Sequence, residues 1–343
     1  MRFKESRTIS NVDSYDIQDG IIYLSKGDRL KRAIFYKMEC LYQENVCSFV
    51  KKLEDIVVFY TWDLKVYKKD STGLKLLLEG YSIAEEAYDN KKIVLAKENN
   101  IGSQIFLYDI ENEIFIQELE AIPYLVTDDR EFYIFNQIIK QRSVLNSHDW
   151  EIDLSGRKYI NDLREEKDVK IVKLLGVESG QLIVFMSSKE LILIDVETGS
   201  ILWETNDFIK NNLPEYKDHR MVSSIFHYCI LENDKLYQLD GNIYYSLDLK
   251  TQEVEILWED KSENEYITCK RKTYTEDYVY FTGSRGGRFS SYLLGAFNRK
   301  TLQMDWVHKP KGIVNPLTNA PQYVDGKLYI LDSGGILHIY ERE

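Results

Sequence analysis

Short apolar segments, each introduced by a polar turn, recur along the whole chain. DGKLYIL, which begins at Asp325, is one example. The others begin at Asp19, Glu54, Asn90, Asp129, Ser179, Asn233 and Glu276. Neighbouring segments are roughly 35 to 55 residues apart. A repeat of that length with four short strands is typical of a β-propeller. We therefore predict an all-β fold, a β-propeller of four-stranded antiparallel blades.

A second pattern follows several of these segments: an apolar strand, a turn opened by Asp or Asn, and a strand that carries tryptophan. LILIDVETGSILWE holds the complete form. The residues of the pattern are Asp195, Gly199, Trp203, Asp248, Trp258, Asn298 and Trp306. Asp and Asn side chains bond to their own backbone in turns, and glycine accepts positive φ. A large flat indole fills the wedge that widens between blades. We expect all seven residues to be structural.

The number of segments gives eight blades, although seven stays open because the stretches 12–45 and 121–160 match the repeat weakly. The chain stops soon after the eighth apolar segment, before an outer strand for that blade. We predict that residues 1–10 supply this strand and pair with the last blade, residues 315–343. Pairing of the two ends would remove the free edge that a linear array exposes. Residues 1–343 would then form one propeller domain.

The clearest unit resembles the repeats of pyrroloquinoline-quinone-type (quinoprotein-like) β-propellers. Asp195, Thr198, Gly199 and Trp203 match the family's Ala-x-Asp-x-x-Thr-Gly-x-x-x-Trp pattern, with Leu193 in place of its alanine. The resemblance covers roughly residues 169–340 and implies the fold but no activity. The quinone enzymes of the family often use adjacent cysteines and a calcium site, which this sequence lacks. Non-catalytic members hold other proteins, including a scaffold of outer-membrane assembly.

Charge and cysteine usage exclude several classes of function. The net charge of −12 and pI near 5.1 predict repulsion of nucleic acid and anionic membranes. The amino-terminal segment MRFKESRTIS has no apolar core of a signal peptide, so we expect a cytoplasmic protein. The four cysteines form no CxxC motif, and no histidine lies at metal-ligand spacing from them. We therefore expect no metal and no cofactor.

Basic residues stand out near the seventh apolar segment. Residues 269–311 hold nine Lys and Arg but only three Asp and Glu. Arg285 and Arg288 lie in a glycine-rich loop, GSRGGRFS, that could approach an anion closely. His219 and Arg220 end a long insertion of the kind that carries binding residues in propellers. The candidate binding residues are Arg285, Arg288, His219, Arg220, Lys270, Arg271 and Lys272. A solvated basic surface and a flexible loop are the structural alternatives.

These observations favour a non-enzymatic propeller that binds another protein through its loops and works as a monomer. Its acidity would suit a regulatory or immunity-type protein that neutralises a basic partner. The alternative is an enzyme or small-ligand binder that uses the axial channel, with an anion site in the seventh blade. No linear catalytic motif is present, but propeller active sites draw single residues from several blades, so an enzymatic role stays open.

Overall fold

The computed structural model describes residues 2–343 with several gaps. The gaps are residues 19–20, 27–32, 37–38, 44–45, 54–55, 88–90, 100–101, 144–147, 162–163, 206–228, 242, 261–266, 286–290 and 311–314. Within the described ranges every regular element is a β-strand, and there are eight four-stranded sheets and one two-stranded hairpin. The four-stranded sheets are called blades 1 to 8 in chain order. Their number agrees with the eight units predicted from the sequence.

The chain divides into two compact units. The split unit comprises residues 2–122 and 315–343. Its blade 8 consists of β1 (Phe3–Ile9) and three strands from the other end of the chain. Blades 1 to 3 are β2 (Val12–Gln18), β3 (Ile21–Lys26), β4 (Ala33–Tyr36), β5 (Glu39–Gln43); β6 (Val46–Leu53), β7 (Ile56–Thr61), β8 (Lys65–Asp70), β9 (Gly73–Glu79); and β10 (Ser82–Ala87), β11 (Lys92–Asn99), β12 (Gly102–Asp109), β13 (Ile114–Leu119).

The continuous unit comprises residues 123–314 and holds blades 4 to 7. Blade 4 is β14 (Leu125–Val126), β15 (Arg130–Phe135), β16 (Ile138–Ser143) and β17 (Trp150–Asp153), followed by the hairpin of β18 (Lys158–Ile160) and β19 (Glu166–Asp168). Blades 5 to 7 are β20 (Ile171–Glu178), β21 (Gln181–Met186), β22 (Leu191–Asp195), β23 (Ile201–Thr205); β24 (Ile230–Glu232), β25 (Lys235–Asp240), β26 (Ile243–Asp248), β27 (Val254–Glu259); and β28 (Ile267–Tyr274), β29 (Tyr278–Arg285), β30 (Leu293–Asn298), β31 (Gln303–His308).

Blade 8 joins the two ends of the chain. Its strands from the carboxyl-terminal side are β32 (Gln322–Val324), β33 (Lys327–Leu331) and β34 (Leu337–Arg342). β1 pairs antiparallel with β34, from Phe3 opposite Arg342 to Ile9 opposite Leu337. The buried His338 of β34 fixes this pairing, since its Nδ1 lies 2.9 Å from Glu5 Oε1 on β1. The predicted closure by the amino-terminal strand is confirmed.

Several middle strands are apolar along most of their length, because both of their faces are covered. In blade 5, Leu182–Met186 and Leu191–Ile194 are buried almost without exception. The outer strand β23 exposes Ile201 and Leu202. Continuous apolar runs are expected for strands that pack on both faces, in contrast to the alternation of a half-exposed strand. This is why the second strands of the blades were visible in the sequence.

The turn after the third strand has one structure in several blades. Asp195 Oδ1 accepts the N–H groups of Glu197 and Thr198, and Asp248 and Asn298 accept the equivalent pairs. The residue four positions after each has positive φ: +71° at Gly199, +63° at Gln252 and +53° at Leu302. Glycine is the residue best suited to this conformation. The turn therefore keeps its shape where the glycine signal is absent from the sequence.

Tryptophans of the outer strands contact the following blade. Trp203 of blade 5 packs against an apolar cluster that includes Leu236 and Leu247 of blade 6. The ring of Trp258 in blade 6 lies 5.0 Å from that of Phe297 in blade 7. Trp306 stacks on His308 within β31 at 5.4 Å. The first two tryptophans thus join neighbouring blades.

Trp150 makes the most complete contact of this kind. Its indole Nε1–H donates to Val196 O at 2.8 Å. A Cβ added to Gly199 would lie only 2.8 Å from Trp150 Cδ2, so the indole occupies the space above that glycine. The Asp-Thr-Gly turn of blade 5 thus receives the tryptophan of blade 4 rather than its own. This pairing escaped the sequence analysis, because its partners belong to different repeats.

The outer edge strands carry β-bulges. The pairing of the outer strand with its neighbour shifts register in seven of the eight described blades. In blade 5, for example, Leu193 pairs with Trp203 and Ile194 pairs with Ile201, so Leu202 is the extra residue. The exception is blade 4, whose outer strand β17 has four residues and a regular register. Bulges, short strands and charges protect free edges from pairing with other chains.

Candidate functional site

The basic residues predicted to bind a ligand are partly brought together on blade 7. Lys270, Arg271 and Lys272 lie on its first strand, β28, and Arg285 lies at the end of β29, opposite Ile267 at the start of β28. Arg285 is exposed. The other candidates, Arg288, His219 and Arg220, lie outside the described residues. The described part of the candidate site is therefore β28 and the adjoining end of β29.

A β-bulge shapes the basic stretch of β28. Cys269 pairs with Gly283 and Arg271 pairs with Thr282, so Lys270 is the extra residue. A bulge re-aims side chains relative to a regular strand. Lys270 and Arg271 are half-buried, whereas Lys272 is 4% exposed. The pKa of Lys270 is lowered, first by burial and then by the neighbouring charge of Arg271. Burial and the neighbouring positive charge thus both disfavour the protonated form of Lys270.

Lys173 of blade 5 extends this positive region. It lies on β20, the first strand of blade 5, and is half-buried. The first strands of neighbouring blades are close here, since a Cβ on Gly176 of β20 would lie 3.2 Å from Leu231 Cδ2 of β24. The positive charges of Lys173 and Lys272 both act to lower the pKa of the Cys229 thiol, which precedes β24. Lysines of blades 5 and 7 thus approach one point on blade 6.

The buried Lys272 has a buried acidic counterpart, Asp240, at the end of β25. Burial raises the pKa of Asp240 to about 6, and the positive charge of Lys272 opposes this rise. Burial lowers the pKa of Lys272, and the charge of Asp240 opposes that change. The two groups therefore stabilise each other's charged forms in a region where either charge alone is costly. Neither residue was paired with the other in the sequence analysis, since they are 32 positions apart.

The two described thiols at this site are not activated nucleophiles. Burial raises the pKa of Cys229 to about 11 and that of Cys269 to about 12. A reactive cysteine needs a lowered pKa, so that the thiolate is present near neutral pH. The Cys269 thiol lies 3.7 Å from Gly241 O, to which it donates. Cys229 packs against the apolar cluster of blades 5 and 6, and Cys269 is part of the cluster of blades 6 and 7.

Two other bases of the seventh blade are held by acids, which reduces the positive surface expected from the sequence. The guanidinium of Arg299 makes two contacts with the carboxylate of Glu232 and donates to Thr275 O at 2.7 Å. Lys300 lies 3.4 Å from Glu276 and 2.5 Å from Asp277. Arg299 also lies over the rings of Tyr237 and Tyr274. It is part of the contact between blades 6 and 7 rather than a ligand-binding residue.

A polar groove of about 810 Å³ lies in the split unit, between blades 8 and 1. It is lined by residues that include Asn11, Asp13, Asn319 and Ser333. Asp332 also lines it, but its carboxylate already accepts the N–H groups of Gly334 and Ile336 and lies 3.4 Å from His338 Nε2. The groove thus has few charged groups left for a ligand. Across the described ranges, no three His, Cys, Asp or Glu side chains are grouped to hold a metal ion.

In the described part of the chain, no helix has the length and apolar character needed to cross a bilayer.

Lys173 and Asp240 were not among the residues predicted from the sequence. Lys173 stands in an otherwise apolar strand, IVKLLGV, and Asp240 stands at a strand end before glycine. A charged residue within an apolar strand is the signal that would have identified Lys173.

Comparison with known proteins identifies the fold. No protein-family model and no curated protein matches the chain. Among solved structures, BamB from Moraxella catarrhalis matches with a TM-score of 0.56 and 12% identity, over 99% of this chain and 100% of that one. The computationally designed Ika8 protein matches with a TM-score of 0.51 and 11% identity, over 97% and 96% of the two chains. BamB is a propeller of quinoprotein-like repeats. The chain therefore has a β-propeller fold, and the predicted resemblance is confirmed at the level of the fold.

Proposed function

We propose that this protein is a non-enzymatic binding propeller that holds an acidic segment of another protein at the basic first strands of blades 5 and 7. The observation that carries this proposal is that Lys173, Lys270, Arg271 and Arg285 lie on or beside the first strands of blades 5 and 7, in a chain of net charge −12. Opposite charges on two surfaces steer association and fix which partners are accepted. A propeller is compatible with such a scaffold role.

The chemistry of the site favours binding over catalysis. Its described thiols have raised pKa values, and its buried carboxyl group, Asp240, interacts with Lys272. Cationic side chains that are half-buried or exposed, as Lys173, Lys270, Arg271 and Arg285 are, hold carboxylates or phosphates well. A monomeric, cytoplasmic protein belongs to the same proposal. An immunity-type role would need a basic partner instead, and it rests only on the net negative charge of the chain.

Charge reversal tests the proposal. The probe is a fluorescein-labelled peptide of eight glutamates, and the measurement is fluorescence anisotropy at about 150 mM salt. We expect Arg271→Glu/Arg285→Glu to weaken binding by about tenfold or more, since two attractive contacts become repulsive. Lys309→Glu, an exposed change after the outer strand of the same blade, is the matched control and should change the affinity less than about twofold. Equal effects of the two variants, or no binding of the peptide, would refute the site.

The second candidate function is direct binding of a small anion. The same positive region supports it, because phosphate needs only a few converging cations. Inorganic phosphate at millimolar concentration distinguishes the two functions. Displacement of the glutamate peptide by millimolar phosphate, but not by sodium chloride of equal ionic strength, would favour the small ligand. Retention of the peptide would favour the protein partner.

A further inference from the structure

The outer strand of blade 3 exposes three consecutive apolar residues. Ile114, Phe115 and Ile116 on β13 are 54%, 44% and 43% exposed. β13 is the last strand in its sheet, so its outer edge is free within that sheet. The β-bulge explains why neighbours in sequence are exposed together. Leu107 pairs with Gln117 and Tyr108 with Phe115, which makes Ile116 the extra residue. A bulge disrupts the strict alternation of side chains between the two faces.

Phe115 is part of an aromatic cluster within blade 3 and the segment before it. Its ring centroid lies 5.5 Å from that of Tyr81, 5.5 Å from that of Phe106 and 5.1 Å from that of Tyr108. Tyr108 is buried, while Tyr81 and Phe106 are half-buried. Aromatic side chains supported by other rings lose little entropy when a partner binds, which is why binding energy concentrates on them. The exposed Phe115 is therefore a preorganised contact.

Acidic residues surround the exposed apolar residues. Residues 109–120 hold five Asp and Glu and no Lys or Arg. Glu113 lies 2.6 Å from Lys75, and Glu111 lies 3.0 Å from Lys91, so those two are already paired. Glu118 accepts a hydrogen bond from the neutral amide of Gln104 at 3.2 Å and therefore keeps its net charge. The strand thus presents apolar contacts at one end and negative charge at the other.

A cation already lies on this aromatic cluster. The ammonium group of Lys97 is 5.3 Å from the centroid of the Tyr81 ring. Ammonium groups at that distance from an aromatic face are attracted by its electron density. The aromatic cluster thus already accepts a cationic side chain.

We propose that β13 is a binding surface for an extended, basic segment of another protein, in which apolar residues alternate with lysine or arginine. The apolar residues of the segment would cover Ile114, Phe115 and Ile116, and its cations would meet Glu118 and Glu120. Six residues of extended chain span roughly 20 Å, the length of this strand. The surface lies in the split unit and shares no residue with the basic site of the continuous unit. The two proposed binding surfaces can therefore be tested separately.

Blade 5 provides a register-matched control. Ile201 and Leu202 occupy the same places relative to the bulge as Phe115 and Ile116, and they are 39% and 49% exposed. The test pair is Phe115→Ser/Ile116→Ser, and the control pair is Ile201→Ser/Leu202→Ser. Glu118→Lys/Glu120→Lys tests the charges without removing a buried contact. This second pair keeps the test valid if loss of Phe115 disturbs blade 3.

The probe is a fluorescein-labelled twelve-residue peptide of alternating lysine and valine, measured by anisotropy with the full chain. We expect each blade 3 variant to weaken its binding by about tenfold or more, while the blade 5 control stays within about twofold. A peptide of alternating glutamate and valine should bind more weakly than the lysine and valine peptide, because Glu118 and Glu120 repel its carboxylates. Equal weakening by the blade 3 and blade 5 pairs would overturn the proposal, as would absence of binding. A dimer in sedimentation that Phe115→Ser/Ile116→Ser abolishes would assign the surface to a second copy instead.

Discussion

The contact between blades 4 and 5 and the contact between blades 6 and 7 are built from different chemistry. The first buries a cluster of apolar residues such as Leu182, Val184 and Ile192, and its buried cation, Arg130, faces an exposed acid. Arg130 donates there to Val196 O at 2.9 Å and contacts Glu197, whose side chain is 67% exposed. The second contact adds a buried carboxyl group, Asp240, and a buried ammonium group, Lys272, to its apolar cluster.

This difference teaches how to interpret basic residues in a repeat. A base between two blades is a structural element when an acid of the adjacent blade reaches it, as Glu232 reaches Arg299. Arg299 therefore belongs to the contact between blades 6 and 7, and Lys300 is paired with Glu276 and Asp277 of its own blade. Lys270, Arg271 and Arg285 remain the candidates by their position on β28 and at the end of β29. The sequence alone gives all of them the same weight.

The largest expected effect comes from disrupting the contact between blades 4 and 5 at Gly199. A Cβ there would meet the indole of Trp150 at 2.8 Å, and the backbone has a φ of +71°. We expect Gly199→Ala to lower the free energy of unfolding by about 3 kcal/mol, from the steric clash and the unfavourable φ together. Gly180→Ala is the control, because its φ is +76° but nothing lies within 4 Å of the added Cβ.

Urea denaturation measures both variants. The Gly180→Ala loss should be about 1 kcal/mol, since only the backbone strain contributes. If Gly199→Ala lowers the unfolding free energy no more than Gly180→Ala does, the indole of Trp150 does not occupy the space above Gly199.

The second-largest expected effect concerns Asp240 and Lys272, between blades 6 and 7, and it depends on pH. The folded-state pKa of Asp240, about 6, lies above the ordinary value of 3.8. The unfolded chain therefore loses this proton at lower pH than the folded chain does. Stability falls as pH rises from about 4 to about 6, by up to about 3 kcal/mol, and then stays level with respect to this group. Asp240→Asn should remove that fall.

The measurement is the difference in unfolding free energy between the native chain and Asp240→Asn at pH 4 and pH 7. Asp248→Asn gives a comparison of opposite sign, because backbone N–H groups of Thr251 and Lys250 lower the pKa of Asp248. Its contribution to stability is lost as pH falls. A difference for Asp240→Asn that is the same at both pH values would show that this carboxyl group ionises as it does in water.

The smallest effect compares the turns of blades 5 and 6. Gln252 stands where blade 5 has Gly199, with a φ of +63°, and is exposed. Gln252→Gly should raise the unfolding free energy by about 0.5 to 1 kcal/mol, because relief of the strained φ exceeds the entropy cost of glycine. Glu253→Gly is the neighbouring control and should lower it by a similar amount. A loss of stability in Gln252→Gly, measured by thermal unfolding, would contradict this account.

Local patterns in the sequence predicted the elements well. The apolar run of residues 182–186 and the turn at Asp195 need only neighbouring residues to form, so their signals are contiguous. The pairing of β1 with β34 was predicted from the missing outer strand of the last blade. Contacts between blades were harder. Trp150 meets a turn 46 residues further on, and neither partner's own repeat reveals the contact.

The candidate site was predicted only in part, for the same physical reason. Lys270, Arg271 and Lys272 form a visible run, but their environments differ because strand register and the bulge at Lys270 decide which of them is buried. The partner of Lys272 comes from another blade. The exposure of the apolar residues of β13 could not be predicted from the sequence. Ile-Phe-Ile has a high β-propensity, which is compatible with a buried strand as well as an exposed one.

The pairing of β1 with β34 has a consequence for synthesis on the ribosome. Ser6 donates to Ile339 O, and the two are 333 residues apart. At roughly 5 to 20 residues per second, β1 waits roughly 15 to 65 s for its partner to be translated. The continuous unit needs only residues 123–314 and can be complete before then. β1 is translated before every other strand described here but finds its partner among the last, and a chaperone would have that whole interval in which to hold it.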